Sequence, residues 1–550
     1  LTKSAAGTAT LSGANTYTGD TTVSNGTLTL TGNLSSSTDL IVSSGATFDL
    51  QVSDTVASLD LDGTISNSAG SSALTVSGTS DIGGNITTSG NQVYSGAISL
   101  TGNSILTSSS GAITLSSTVD GGSTLTTSSS GNFTTSGIIG GTTPLTSLSA
   151  TAGGNISYVN NITTTGSISL NAEGNVDPNP SSGNITLTTT NSDVTLNADS
   201  EGNGTGTFYG SLIINPGSGN VTIRGATIAN ESYQVNGTGT LTIESNAASF
   251  ASTFTSSALT EASTLTGLTI GKSTNTSNIT LNSDIAIAGS ITVYGGSINT
   301  NANLTTTAAA GHIKLLASND ISVASGITLT TSGSAGDVIL AADTDNSSGG
   351  AISASGALTI STNGGDIILG GGDTSGSDFT NGEGSDQVGI RITGNVDFDS
   401  QGGDIALRGE STAGGLDSAG IVFGSLVDIQ SGTGTILIHG INSSSNSDNS
   451  NESAAISIVA DQNHIIKSLN TTSSAITITA DASTSSGGRG LDIQYDINII
   501  ASGVGGGVAI NGYNSDDRTW AINLGAGSNI LANGGDINLN AYPDDAGNDG

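Results

Sequence analysis

The chain has 550 residues, 81 of them Gly, five Pro and none Cys or Met, and a formal net charge of −35. Nine Lys and Arg against 44 Asp and Glu exclude the cationic stripe that nucleic acid or an anionic membrane surface demands. The lack of Cys excludes disulfides, thiol catalysis and Cys-ligated zinc, and no apolar run is long enough for a membrane-crossing helix.

Taken in chain order, residues 7–30 read GTATLSGANTYTGDTTVSNGTLTL, two Gly-Thr strand starts around an Asn15-x-Tyr17-x-Gly19 centre. Short apolar/polar alternation then runs on, as in GTLTL at 26–30, SLIINP at 211–216 and SGITLTT at 325–331. That is a strand period, and no long stretch carries the helical one. A cassette of Gly, a small or acidic residue, Ile, any residue and Leu recurs. It occurs at Gly96–Leu100, Gly111–Leu115, Gly183–Leu187, Gly365–Leu369, Gly403–Leu407 and Gly535–Leu539. Clusters of Asn, Asp, Gly and Ser at 341–350, 371–388, 442–453 and 511–518 predict loops.

A unit that cannot bury its apolar side alone stacks on its neighbours, so the cassette predicts an all-β parallel solenoid, an elongated rod. Coils of roughly 20 residues stacked about 4.8 Å apart would give on the order of 25 coils. The spacing between cassettes is irregular, so short intervals mark successive faces of one coil and longer ones include a loop. Ile98, Leu100, Ile113, Leu115, Ile367, Leu369, Ile405 and Leu407 should point inward. Gly should supply the positive-φ corners, and corner Asn should stack from coil to coil.

Candidate chemistry is sparse. His312, His439 and His464 are scattered, and none is predicted to be catalytic. Asp337, Asp366, Asp404 and Asp536 share the slot before the first inward residue, where a polysaccharide-cleaving site would need clustered carboxylates. Asn184, Ala97 and Ser167 fill the same slot elsewhere, which favours a turn preference. Asp366, Asp373, Asp378, Glu383 and Asp386 form an acidic loop with the oxygen chemistry of a calcium site, although GGGDTSGSD at 370–378 lacks the nonapeptide calcium pattern. Trp520, with Tyr513, Asp516, Asp517 and Arg518 nearby, is a candidate carbohydrate patch; the alternative is a core or loop anchor. No cofactor is expected, calcium apart.

Residues 7–30 resemble the autotransporter-associated β-strand repeat of bacterial passenger domains, with Asn15, Tyr17, Gly19 and Gly26 in the repeat's positions and Ala9 departing from its apolar strand residue. The strings at 91–149, 185–208 and 267–317 resemble filamentous-haemagglutinin-type exoproteins of the two-partner secretion class. Together these stretches cover about half the chain. The resemblance implies a right-handed parallel β-helix, secreted and displayed on a bacterial surface, in three stretches: the repeat at 1–32, a haemagglutinin-like helix at 33–270 and an acidic, loop-rich continuation at 271–550. It further implies a non-enzymatic adhesin stalk or self-assembling filament, with an outer-membrane secretion partner and a host or neighbouring-cell surface or glycan as target. A β-helix polysaccharide lyase or hydrolase, and a calcium-stabilised carbohydrate-binding module, are the alternatives. The chain starts within one repeat and stops within another, which reads as part of a larger protein.

Overall fold

The period-two alternation becomes strands throughout. In the computed structural model, residues 1–179, 183–230, 232–257, 259–346, 349–382, 388–412, 418–444, 454–485, 488–514 and 520–542 are described, and no helix occurs among them. The expected all-β parallel solenoid is what forms. The strand Thr27–Leu30 pairs in parallel with Thr8–Leu11 on one side and Thr47–Leu50 on the other, and the same relation repeats along both units into which the chain divides. One unit is Leu1–Ser252 with Ala258–Ala262; the other is Thr253–Ser257 with Ser263–Gly550.

In the first unit each coil has three faces. One coil runs through Ser80–Ile82, Asn85–Thr88 and Gln92–Tyr94, and the next through Ile98–Leu100, Ser104–Ser108 and Ile113–Leu115. The two cassettes in the second of these coils therefore lie on different faces. Ile98 pairs with Ser80 and Val119, whereas Ile113 pairs with Gln92 and Phe133. All eight predicted inward residues are buried, none more than 4% exposed. At about 1.5–3 kcal/mol for each buried Leu or Ile, this interior column is the main stabilising term. Phe48, Phe133 and Phe208 are buried with it.

The second unit repeats the plan with longer coils. Its first face includes Ile298–Thr300, Ile321–Val323 and Ile352–Ala354; its second, Leu304–Thr306, Ile327–Ser334 and Leu358–Asn363; its third, Ile313–Ala317, Val338–Ala342, Ile367–Gly371, Ile405–Ser411, Ile436–Asn442 and Ile476–Asp481. Thr27 pairs with Thr47 in the first unit, but Ile436 pairs with Ile476 here. The expected coil of roughly 20 residues thus fits only part of the chain. The longest excursions leave the coil after the third face, while shorter ones enter between the second and third faces, as between Ser468 and Ile476. Ser411 stands beside Asn442, and Asp481 beside Tyr513, so the loop bases are stacked in register. All four predicted loops start there. Strand runs into their ends at Ala341–Ala342, Gly371, Val388, Asn442 and Asn511–Tyr513, and Thr380–Gly382 is a strand inside 371–388.

As expected, most positive-φ residues are Gly, but the cassette glycines are mostly not among them. Among the cassette glycines only Gly183 has positive φ. Gly365, Gly403 and Gly434 are needed for another reason: a Cβ on each would overlap the carbonyl of Gly336, Gly365 and Gly403, one coil back. The residue before the Cβ-free glycine has positive φ at Ala310, Ala335, Gly364 and Gly402, and ahead of Gly434 the positive-φ residue is Gly432, two back. The buried hydroxyls of Thr306, Thr331, Thr362, Ser400 and Ser431 donate to the carbonyls of Gly311, Gly336, Gly365, Gly403 and Gly434 at 2.5–2.6 Å. The corner is thus built from a positive-φ residue, a Cβ-free residue and a hydroxyl that satisfies its buried carbonyl.

Candidate functional site

At the corner before the third face, the sequence-predicted slot residues do form a column. Asp366 N–H donates to Asp337 Oδ1 at 2.9 Å, and Asp404 N–H donates to Asp366 Oδ1 at 2.8 Å. Asp404 Oδ1 in turn accepts the Thr435 amide at 2.7 Å and the Thr435 hydroxyl at 2.9 Å. The column begins at His312, whose amide donates to Ser290 Oγ and whose Nδ1 accepts the Asp337 amide at 3.0 Å. Asp536 is set apart, because the register Ile436, Ile476, Val508, Ile537 puts Thr435, Ala475 and Gly507 between it and Asp404.

Each carboxylate is therefore occupied with the first amide of the next coil, which lies ahead of the strand. Asn does the same work in the first unit, where Asn132, Asn155 and Asn175 accept the amides of Asn155, Asn175 and Thr207 at 2.8 Å. At this corner the Asn ladder runs from side chain to backbone; the expected side-chain amide stack forms elsewhere, where Asn301 donates to Asn282 Oδ1 at 2.8 Å and Asn529 to Asn498 Oδ1 at 3.0 Å. Burial pushes the Asp366 carboxyl up; the Asp404 amide opposes this, and Asp337 and Asp404 add like charge. The arrangement has the chemistry of a structural column.

The calcium candidates are dispersed. Asp366 stands in that column. Asp373 accepts the amide and hydroxyl of Ser375 at 2.8 and 2.7 Å and the hydroxyl of Ser377 at 3.0 Å, and Ser375's hydroxyl holds its carboxyl below the usual range. Asp378 forms an antiparallel bridge with Gly371. Glu383 and Asp386 lie outside the described residues. Among the described residues no group of three or more His, Asp or Glu is arranged to hold a metal ion.

Of the carbohydrate candidates, Tyr513 is stacked on Tyr542, centroids 4.6 Å apart and planes 9° from parallel. Trp520 is 59% exposed, so it is not a core anchor. Arg518, Asp516 and Asp517 lie outside the described residues. His464 points into the solenoid interior, fully buried; Val427 N–H donates to its Nδ1 at 3.2 Å and its Nε2 meets the Ala460 carbonyl at 2.9 Å.

The feature that sequence reasoning missed is a loop-roofed groove on the outer side of the third face. Alternation puts Tyr294, Leu316, Ile339 and Ile368 outward, yet Leu316 and Ile339 are 3% and 6% exposed and form an apolar cluster with Ala341, against which Tyr294 and Ile368 pack. A roof covers them. Gly376 sits over Ile368, Arg408 Nη1 donates to the Gly376 carbonyl at 3.4 Å, and Phe379 packs edge-on against His439, centroids 4.7 Å apart. Burial lowers the His439 pKa; Asp481 opposes this, while Arg408 adds to it.

Between this roof and the loop at 273–276 a groove of about 310 Å3 stays open, with Tyr294 and Leu316 in its lining beside Asn275, Ser318, Asp345 and Thr374. Asn275 fixes one wall, donating to the carbonyls of Tyr294 and Ser277 at 2.9 and 3.1 Å. The signal was in the sequence: IKLLA, VILAA and IILGG, at 313–317, 338–342 and 367–371, break the alternation and read as strands covered on both sides.

In the matched N-terminal segment, Asn15 donates to Asn33 and Gly13 carbonyls at 2.9 and 3.1 Å, tying one coil to the next, and Tyr17 bonds Thr21 at 2.9 Å. No match was found among curated proteins or among solved structures. Residues 1–33 match the family model of the passenger-associated-transport-repeat, a repeat that fits a passenger of the autotransporter type.

Proposed function

We propose that this chain is a secreted, surface-displayed bacterial passenger, a non-enzymatic adhesin or filament segment in which parallel coils carry recognition loops. The observation that carries this reading is the passenger-associated repeat at residues 1–33, set in the same parallel ladder that repeats along both units. The loop row supports it further. The longest excursions of the second unit start from one corner, where the strand ends stay in register from coil to coil, and such loops are where binding chemistry is commonly carried. Its partners are a host or neighbouring-cell surface or glycan and an outer-membrane secretion partner.

The test is expression of the gene with its native flanking sequence in a Gram-negative host. Surface labelling and cell binding by the purified chain are expected. A chain that stays in the cytoplasm, or that releases new reducing ends or unsaturated products from a glycan panel, would overturn the reading. A flanking C-terminal outer-membrane barrel would mark the autotransporter route, and an N-terminal secretion domain the two-partner route.

A further inference from the structure

We infer that Tyr513 and Tyr542 form an oxidative cross-linking site, at which a peroxide joins the two rings as dityrosine and staples consecutive coils of the second unit. This goes beyond the passenger reading and stands on the geometry of the pair alone. The two residues are partners in the parallel pairing of Ile497–Tyr513 with Asn529–Tyr542. Their rings are stacked, centroids 4.6 Å apart and planes 9° from parallel. Neighbouring strands stand about 4.8 Å apart, so the stacking distance is the one the ladder itself sets. Register therefore holds both phenols on the same side of the sheet, and joining them asks for no movement of the backbone.

The step balances. Each phenol gives one electron to the oxidant and its proton to water, which leaves a tyrosyl radical on each ring. The two radicals pair at the ring carbons next to the phenol oxygens and form one carbon–carbon bond. The hydrogen on each bonded carbon then moves to its own oxygen, and both rings regain aromaticity. In sum two hydrogens leave the pair, and one molecule of hydrogen peroxide takes up two electrons and two protons and becomes two waters. A peroxidase is the class of catalyst that delivers such one-electron steps.

Placement selects this pair. The chain has nine Tyr. Tyr94, Tyr158 and Tyr233 are buried in the solenoid interior, out of an oxidant's reach. Tyr513 and Tyr542 are the one stacked pair of tyrosines among the described residues. Tyr542 is 46% exposed, which gives the oxidant access and gives the ring room to turn from stacked to bonded. The chain has no Cys, so a disulfide cannot staple these coils. Tyr513 also stands at the base of a corner loop, beside Asp481. A bond from there to Tyr542 closes that loop and the next coil into one ring of chain, which restricts the unfolded state.

The experiment treats the dilute purified chain with hydrogen peroxide and a peroxidase. It reads dityrosine fluorescence, chain size on a denaturing gel and peptide masses after digestion. The expected product is a single chain in which the peptides carrying Tyr513 and Tyr542 are joined with the loss of two hydrogens. Tyr513→Phe and Tyr542→Phe each keep a stacked ring but lack the phenol, and each should lower the yield of intrachain dityrosine at least about tenfold. Tyr495→Phe, an exposed tyrosine outside the pair, should leave the yield unchanged. After oxidation, protease should release the coil at 529–542 at least about tenfold more slowly from the wild type than from Tyr513→Phe. Intrachain dityrosine that persists in either Phe variant of the pair would overturn the proposal. So would cross-links that form only between chains, or no intrachain dityrosine under conditions that oxidise Trp520.

Discussion

Asp366 Oδ1 accepts the backbone amide of Asp404 at 2.8 Å, across one coil of the second unit. The carboxylate is a corner acceptor with like charges above and below it, and its role can be tested by exchange. Asp366→Asn keeps an acceptor and removes a charge, so it should leave stability unchanged or slightly higher at pH 7. Asp366→Ala leaves the Asp404 amide without that partner and should cost about 1–2 kcal/mol. Because the folded pKa is raised, Asp366's contribution should become more favourable as pH falls from neutral toward the ordinary carboxylate range, and Asp366→Asn should remove that dependence. Denaturant midpoints against pH for the three proteins check it.

Neighbouring glycines should respond very differently. Gly364 has φ +84 and open space around its Cβ position, so Gly364→Ala should cost about 1 kcal/mol of backbone strain. Gly365→Ala drives a methyl into the Gly336 carbonyl and should cost several times more, about 3 kcal/mol or above. Ala335 occupies the αL position with φ 57, so Ala335→Gly should be neutral or stabilising. The ranking of thermal midpoints decides this; equal effects at 364 and 365 would refute the steric account.

His464 should make the second unit acid-sensitive. Its imidazole is neutral, with Nδ1 accepting from Val427, which leaves Nε2–H to donate to Ala460. Burial depresses its pKa, the Ala460 contact opposing only in part. A folded pKa below the unfolded value of about 6.5 means stability is full above that pH and is lost as pH falls through the window down to the folded value. His464→Leu should flatten that slope while costing about 1–3 kcal/mol at pH 7.5 from the two unpaired backbone groups. Nitrogen NMR of the ring should find the Nε2–H tautomer at neutral pH.

The roof loop should loosen without unfolding the coil. Phe379→Ala removes the contact with His439 but leaves the inward residues untouched. Limited proteolysis should then cleave within 372–379 faster than in the wild type, with a change in global stability below about 1 kcal/mol.

Trp520, the single Trp, is 59% exposed and lies outside the groove lining. Its fluorescence should be that of a solvated indole, open to acrylamide. Trp520→Phe should shift the melting temperature little; a large loss would show that the indole is a structural anchor.

Much of this was legible in the residues. Ile98 and Leu100, or Ile405 and Leu407, alternate with polar neighbours, and a period of two with one apolar side leaves stacking as the way to bury it. The corner was half legible. Thr362-Asn363-Gly364-Gly365-Asp366 and Ser400-Gln401-Gly402-Gly403-Asp404 share a hydroxyl, a Gly-Gly pair and an acid, but sequence alone does not say which Gly needs positive φ. That depends on where the previous coil's carbonyl lies, a contact across 38 residues from Gly365 to Gly403 that no local pattern contains.

What the sequence determined by itself is the class of fold: strands that alternate, Gly that spares Cβ, and too few cations for an anionic partner. Only the tertiary structure decided which residues share a place. Ile98 and Ile113, alike in sequence, went to different faces; Asp366 and Asp373, close in sequence, went to a corner column and a roof loop. The reason is register. Each coil's loop length sets which residue stacks on which, and loop length varies freely because an excursion at the corner costs the interior column nothing, while a shift of one residue along a strand would turn its apolar side outward.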